Sequence, residues 1–279
     1  MKTLVISPKD RYAAKRLLVE AARLKLPIDV LSVGDLAKKD FEVDIAQYSA
    51  LYIRNPYFNG EPDYLLEVIN LAKRFKKAGK RVVDSTIGDG NIARGKWVDY
   101  QMLKKAGLLI PTTQMLEPKN ETKSLPFIIK WVFGLKAKHV YLVNSQKDLD
   151  EIIKRYAPGQ LMLQEFIEAE YEYKVITVGY KSLPVVLRFA INPKTKRPDF
   201  RTAETLANDK ETKKIVQLAE KASKVLKREL AKVDILEKAA KYYILEVNRF
   251  PGLKSFESLT KFNVAAEFIK YLNRSQKQT

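Results

Sequence analysis

Three residues near the C-terminus have the types and spacing to hold a hard metal ion. They are Asp234, Glu246 and Asn248, in the stretch "AKVDILEKAAKYYILEVNRFPG". Ile244, Glu246 and Asn248 alternate with Leu245 and Val247, so a strand here puts a carboxylate and a carboxamide on one face. Glu and Asn are both weak strand formers, and Pro251 and Gly252 break the strand at once. A hairpin turning through "EKAAK" brings Asp234 to the same side, diagonally across from Glu246. Two carboxylates and an amide carbonyl make a hard-cation site, best suited to magnesium with water and phosphate oxygens completing the shell. The same spacing also describes a solvated strand face whose acids meet nearby lysines.

Composition narrows what these residues can serve. The chain has 279 residues, no cysteine and one histidine, which removes disulfides, thiolate nucleophiles and Cys/His zinc frameworks. A Ser-His-Asp triad would need His139, and no nucleophile elbow accompanies it. The chemistry therefore falls to carboxylates, Lys, Arg and hard cations. The formal net charge is +18, which favours polyanionic partners, although lysines spread along helices also arise from bulk composition. No apolar run approaches the roughly 18 residues of a membrane span, and "MKTLVISPKD" is too short in its apolar run for a signal peptide. A cytoplasmic protein without membrane contact fits, with the oligomeric state left open.

The elements that must position the site follow from periodicity. "TLVISP", "IDVLSV", "ALYIRN" and "RVVDS" read as strands, separated by "RYAAKRLLVEAARLK" and "PDYLLEVINLAKRFKKAGK" as helices, which suggests a parallel α/β sheet. "IGDGNIARG" has no G-x-G-x-x-G opening a helix, so a dinucleotide site is not expected. "GKWVDYQMLKKAGL" is a helix with Gly107 past its end, followed by "IPTTQML". "FIIKWV" and "HVYLV" form a hairpin with a basic tip, and "SQKDLDEIIKRYA" is a Ser-capped helix. "LMLQEFI", "YEYKVITVGY" and "LPVVLRFAI" read as strands of an antiparallel sheet. A long helix, "DKETKKIVQLAEKASKVLKREL", precedes the pair "KVDIL" and "YYILEVN", and "NVAAEFIKYLN" closes the chain as a helix.

The residues together resemble the RimK-like branch of the ATP-grasp ligases, the branch of ribosomal-protein glutamate ligases and glutathione-synthase-like enzymes. "VDIL" followed by "ILEVNRFPGLKSFESLTKFNVAAEFIKYL" carries the resemblance most specifically, and "FIIKWVFGLKAKHVYLV", "LQEFI" and "FRTAETLA" follow the family's order upstream. The resemblance implies an ATP-grasp fold, mixed α/β and α+β. An N-terminal α/β domain would cover 1–93 and the ATP-grasp region 94–279, with a lid at about 116–163 and a C-terminal sheet domain from about 164. It implies that Asp234, Glu246 and Asn248 hold magnesium (or manganese) on ATP. Lys96 and Lys130 would bind ATP phosphates, Gly134 would belong to the phosphate loop, and Glu165 and Phe166 would offer backbone groups to adenine. Glu172 would bind ribose, Arg201 would stabilise the transferring group and Arg188 would contact a substrate carboxylate.

The implied reaction is ATP- and magnesium-dependent ligation of a carboxylate to an amine through an acyl phosphate. An amino acid such as glutamate would be joined to an acidic acceptor, either a small molecule or a protein or peptide. Such transfer needs charge neutralisation and alignment more than a covalent nucleophile. Several positions depart from the family pattern. Ala137 and His139 stand where glycines are usual, with Lys136 and Lys138 beside them, Ala203 replaces an Asn, and Lys174 replaces an Arg. Two other readings therefore stay open: a degenerate ATP-grasp protein that binds nucleotide without ligation, and a basic nucleic-acid-binding protein.

Overall fold

The computed structural model describes residues 2–39, 41–54, 65–87, 95–116, 125–132, 139–157 and 159–274. Three sheets make up its frame. Strands β1 (Lys2–Ile6), β2 (Ile28–Leu31), β3 (Tyr48–Ile53) and β4 (Arg81–Val83) form a parallel sheet in the order β2-β1-β3-β4. Helices α1 (Tyr12–Leu24), α2 (Val33–Leu36) and α3 (Leu65–Lys77) connect them, as parallel strands require. Helix α4 (Lys96–Lys105) follows, closed by Gly107 at φ +70°, a left-handed conformation that glycine adopts without penalty.

Strands β5 (Thr113–Met115), β6 (Phe127–Trp131), β7 (Val140–Val143) and β8 (Leu161–Glu165) form an antiparallel sheet ordered β5-β8-β6-β7. Helix α5 (Gln146–Ile153) packs on it through Leu149 and Ile152, and its predicted Ser145 cap is one half of a capping box with Asp148. The third sheet is antiparallel, ordered β11-β10-β9-β12-β13. Its strands are β9 (Tyr171–Val178), β10 (Lys181–Ala190), β11 (Glu204–Ala207), β12 (Leu230–Lys238) and β13 (Lys241–Asn248). Helix α6 (Lys213–Val225) covers one face, burying Ile215, Val216, Ala219 and Ala222 against Val175, Val233 and Ile244. The opposite face is apolar at one end, where Ile176, Leu187 and Phe189 meet helices α7 (Leu253–Thr260) and α8 (Val264–Leu272). Its other end is charged.

Three elements differ from the sequence reading. Helix α6 stops at Val225 because Lys227 turns left-handed at φ 51° and donates its N–H to the Lys224 carbonyl at 3.0 Å. "FRTAETLA", given no element from periodicity, contains a 3-10 turn at Phe200–Thr202 and then β11. The β12–β13 turn is the third. It has two residues, Ala239 and Ala240, at φ 48° and 57°, instead of the five expected. With so tight a turn, an uninterrupted ladder would pair Asp234 with Leu245. A bulge between Asp234 and Ile235 shifts the register so that Asp234 lies directly opposite Glu246 and Lys232 opposite Asn248. All four therefore share one face.

Candidate active site

The charged end of the third sheet is built from three adjacent strands. In the register of β9 against β12, Asp234 lies opposite Lys174 and Leu236 opposite Glu172, so both β9 residues project to the face that carries Asp234, Glu246 and Asn248. Helix α4 lies against β13. Tyr100 donates its hydroxyl to the Leu245 carbonyl at 2.6 Å, Lys96 pairs with Glu246, and Arg228 donates from Nη2 to both Asp99 oxygens at 2.8 Å and from Nη1 to the Val247 carbonyl. From the β5–β8 sheet, Lys130 on β6 points into the same region and donates to the Tyr100 hydroxyl at 3.2 Å. Lys96 and Tyr100 are one helical turn apart, which puts both on the face of α4 toward the cluster.

Burial and charge set the protonation states. Lys130 is only 6% exposed. Burial lowers its pKa to about 8, with Glu246, Glu172 and Asp234 opposing that shift. Burial pushes the Asp234 carboxyl up, but Lys232 and Lys174 outweigh it and hold the group below its ordinary value. Lys232 is 3.1 Å and Lys174 3.5 Å from Asp234 Oδ1. Lys174 also pairs with Glu172, and the two acids keep its ammonium charged against the effect of burial. Glu172 is raised by burial despite Lys174, so a proton entering the Glu172–Asp234 pair goes to Glu172 first.

The RimK-like ATP-grasp domain matches residues 93–272, well over half of the chain. The chain belongs to the RimK-like ATP-grasp family. Among curated relatives, a probable α-L-glutamate ligase of Legionella pneumophila (strain Corby) is 27% identical over 205 residues, covering 66% of this chain and 65% of the relative. The matched stretch is thus just under two thirds of that relative's length. Two solved structures share the ATP-grasp fold over nearly all of the chain. The ATP-grasp ligase PsnB, complexed with a minimal precursor, superimposes with a TM-score of 0.74 at 18% identity, covering 98% of each chain. The macrocyclase MdnC from Microcystis aeruginosa MRC, bound with its precursor peptide MdnA, gives 0.75 at 15% identity, covering 99% of this chain and 100% of MdnC.

Within this RimK-like chain, Asp234, Glu246, Asn248, Lys96, Lys130 and Glu172 come together, and Arg188 and Arg201 do not. Arg188 lies on the opposite face, because its partner in the ladder is Tyr173, which faces α6. There it pairs with Glu204 and stacks 4.9 Å above the Tyr171 ring. Arg201 sits in the 3-10 turn with its side chain 84% exposed, held by Asp199 at 2.7 and 2.9 Å. Glu172 is buried against Lys174 instead of lying at an open ribose edge. Glu165 ends β8, where its N–H bonds the Thr112 carbonyl at 2.8 Å. The Thr112 N–H goes to the Glu165 carboxylate at 3.0 Å. Phe166 follows, half-buried. Gly134, Lys136, Ala137 and Lys138 lie outside the described residues. His139 bonds the Tyr156 hydroxyl at 2.6 Å and meets the Trp131 ring edge-on, a packing role on the α5 side of the sheet.

Sequence reasoning missed Lys232, Tyr100 and the Asp99–Arg228 pair. Two-residue spacing from Asp234 could have found Lys232, and four-residue spacing from Lys96 could have found Tyr100. Nothing in the sequence joins Asp99 to Arg228. Among the described residues, no three His, Cys, Asp or Glu side chains form a ready metal cage. The oxygen set nevertheless suits a hard cation. Asp234 Oδ1 is buried with only the Lys232 and Lys174 ammoniums beside it, at 3.1 and 3.5 Å, and Asn248 donates its amide N–H to Asp234 Oδ2 at 2.9 Å, which leaves the Asn248 carbonyl oxygen for a cation.

Proposed function

We propose that this chain is an ATP- and magnesium-dependent carboxylate–amine ligase, joining an amino acid such as glutamate to an acidic acceptor. The observation that carries the reading is the convergence of Lys130, Lys96 and the Asp234–Glu246–Asn248 face between two sheets. Such an arrangement suits a polyphosphate better than any covalent chemistry, because it offers fixed cations and cation-binding oxygens at close range. The names of the glutamate-ligase relatives and the precursor peptides bound by PsnB and MdnC support an amino acid and a peptide as the substrates. In this reading the nucleotide lies between a lid at about 116–163 and the sheet domain that follows it. A domain covering 1–93 closes the substrate side.

Each group then has a task. Lys130 and Lys96 grip the phosphates, and the Glu165 carbonyl and Phe166 N–H meet adenine. Asp234, Glu246 and the Asn248 carbonyl would hold magnesium, which when bound neutralises charge on the phosphate oxygens. A substrate carboxylate oxygen attacks the γ-phosphorus and ADP leaves, giving an acyl phosphate. The neutral amine then attacks the acyl carbon, the amide bond forms, inorganic phosphate leaves and the amine loses one proton. Tyr100 and Arg228 keep α4 against β13 so that Lys96 and Glu246 stay aligned.

A scan of candidate acids and amines for ADP release, read by mass spectrometry, tests this function. ADP formed together with a condensed product supports it, and ADP formed without one under any pairing leaves the nucleotide-binding alternative. If the acceptor is an acidic peptide, its KM climbs steeply between low and physiological salt, as the Debye length shortens to about 8 Å. The KM for ATP, held at close range, changes much less. A similar weak response of both substrates would assign the +18 charge to bulk composition.

Lys130 gives the reading a pH signature. Its pKa of about 8 in the free protein means that the ammonium is lost as pH rises through that value, while phosphates at its side restore it. Nucleotide binding should therefore take up almost no protons at about pH 6.5 and approach one at about pH 9, with affinity falling as pH climbs. Fold stability runs the other way. The buried ammonium costs stability below about 8, and that cost is relieved between about 8 and the ordinary value of 10.5. Calorimetry in buffers of different ionisation enthalpy reads the uptake, and none at alkaline pH would place Lys130 away from the phosphates.

A further inference from the structure

Four ammonium groups surround three carboxylates in this cluster. Lys96 pairs with Glu246, Lys174 with Glu172 and Asp234, and Lys232 with Asp234, while Lys130 feels the field of all three acids. A divalent cation arriving alone would enter a site whose carboxylate charge is already matched, and would have to displace an ammonium from Asp234. Lys174 cannot leave easily, since Glu172 holds it and its side chain is 16% exposed beside the Phe189 ring. Lys232 differs. Asp234 is its one ion-pair partner among the described residues, and it is 20% exposed, directly across from Asn248, on a flexible stem. A polyphosphate placed over this face offers its ammonium a new partner, and that movement opens Asp234 Oδ1.

We propose that Lys232 is a built-in counter-ion for Asp234, which makes the site take up a divalent cation together with a polyphosphate and not ahead of it. The inference rests on the nucleotide reading above. It gives Lys232 a specificity role that the oxygen ligands alone do not supply. Without Lys232, Asp234 keeps only the more distant Lys174, which it shares with Glu172, and a free cation meets less opposition there. With it, the unaccompanied cation meets an ammonium 3.1 Å from the oxygen it needs.

Equilibrium dialysis of manganese, with ADP freely permeable, tests the proposal on the full chain. Wild-type protein should retain manganese with ADP present, and bind it at least about tenfold more weakly without ADP. Lys232→Ala and Lys232→Gln should each tighten binding of manganese alone by about tenfold, whereas Lys232→Arg should behave as wild type. Thermal unfolding confirms that the variants fold, and the wild-type comparison stands without them. Equal manganese affinity with and without ADP in the wild type overturns the proposal. So does an unchanged ADP-free affinity in both neutral variants. Failure to retain manganese even at saturating ADP would sink the nucleotide–cation reading itself, a result distinct from either of those.

Discussion

Glu246→Gln should lower turnover by at least about 100-fold while leaving the fold intact. The substitution keeps the shape of the side chain and removes the charge that a cation on the phosphates requires. Lys96, 17% exposed, loses its ion pair, but the Gln carbonyl oxygen still accepts from its ammonium, so the charge keeps a hydrogen-bond partner. Binding of ADP should also lose most of its magnesium dependence, because Asp234 alone remains as a carboxylate ligand. Kinetics with circular dichroism and calorimetry on one preparation checks both halves. Unchanged turnover in the folded variant would remove Glu246 from the site.

Lys130→Met should weaken nucleotide binding by roughly 10–100-fold, the range of one charge-assisted hydrogen bond in a dry site. It should at the same time raise the melting temperature, because the native ammonium is buried beside Tyr100 with no ion pair of its own among the described residues. These opposite signs separate a functional lysine from a structural one. Lys136→Ala and Lys138→Ala should weaken binding less, since Lys130 is fixed on β6 and buried beside Tyr100. A larger loss from Lys136→Ala or Lys138→Ala would mean that these lysines, and not Lys130, are the main phosphate clamp.

Alternation put Glu246 and Asn248 on one face correctly but placed Ile244 with them, whereas the bulge at Leu245 turns Ile244 to the α6 side. Asp234 was placed correctly on that face for an incomplete reason. Alanine rarely adopts positive φ, so nothing marked Ala239–Ala240 as a two-residue turn. The error in loop length was cancelled by the bulge beside Asp234, which no local residue announces. The strands, including the β6–β7 pair, followed from apolar runs, whereas α7 went unread because "LKSFESLT" follows directly on a Pro-Gly break. Arg188 could not be assigned a side without the register of β9 against β10, and Arg201 could not be known to pair with a residue only two positions away. The three lysines on the acids were visible as charges, but their convergence depends on strand order, which composition does not carry.

The most direct test of the account follows oxygen. A tetraglutamyl peptide labelled with oxygen-18 in its carboxylates is incubated with ATP, magnesium and glutamate, and the inorganic phosphate released is weighed by mass spectrometry. Attack of the carboxylate on the γ-phosphorus transfers one labelled oxygen to phosphate for every amide formed. The account predicts that stoichiometry, together with a peptide one residue longer. Amide formation accompanied by unlabelled phosphate would contradict it.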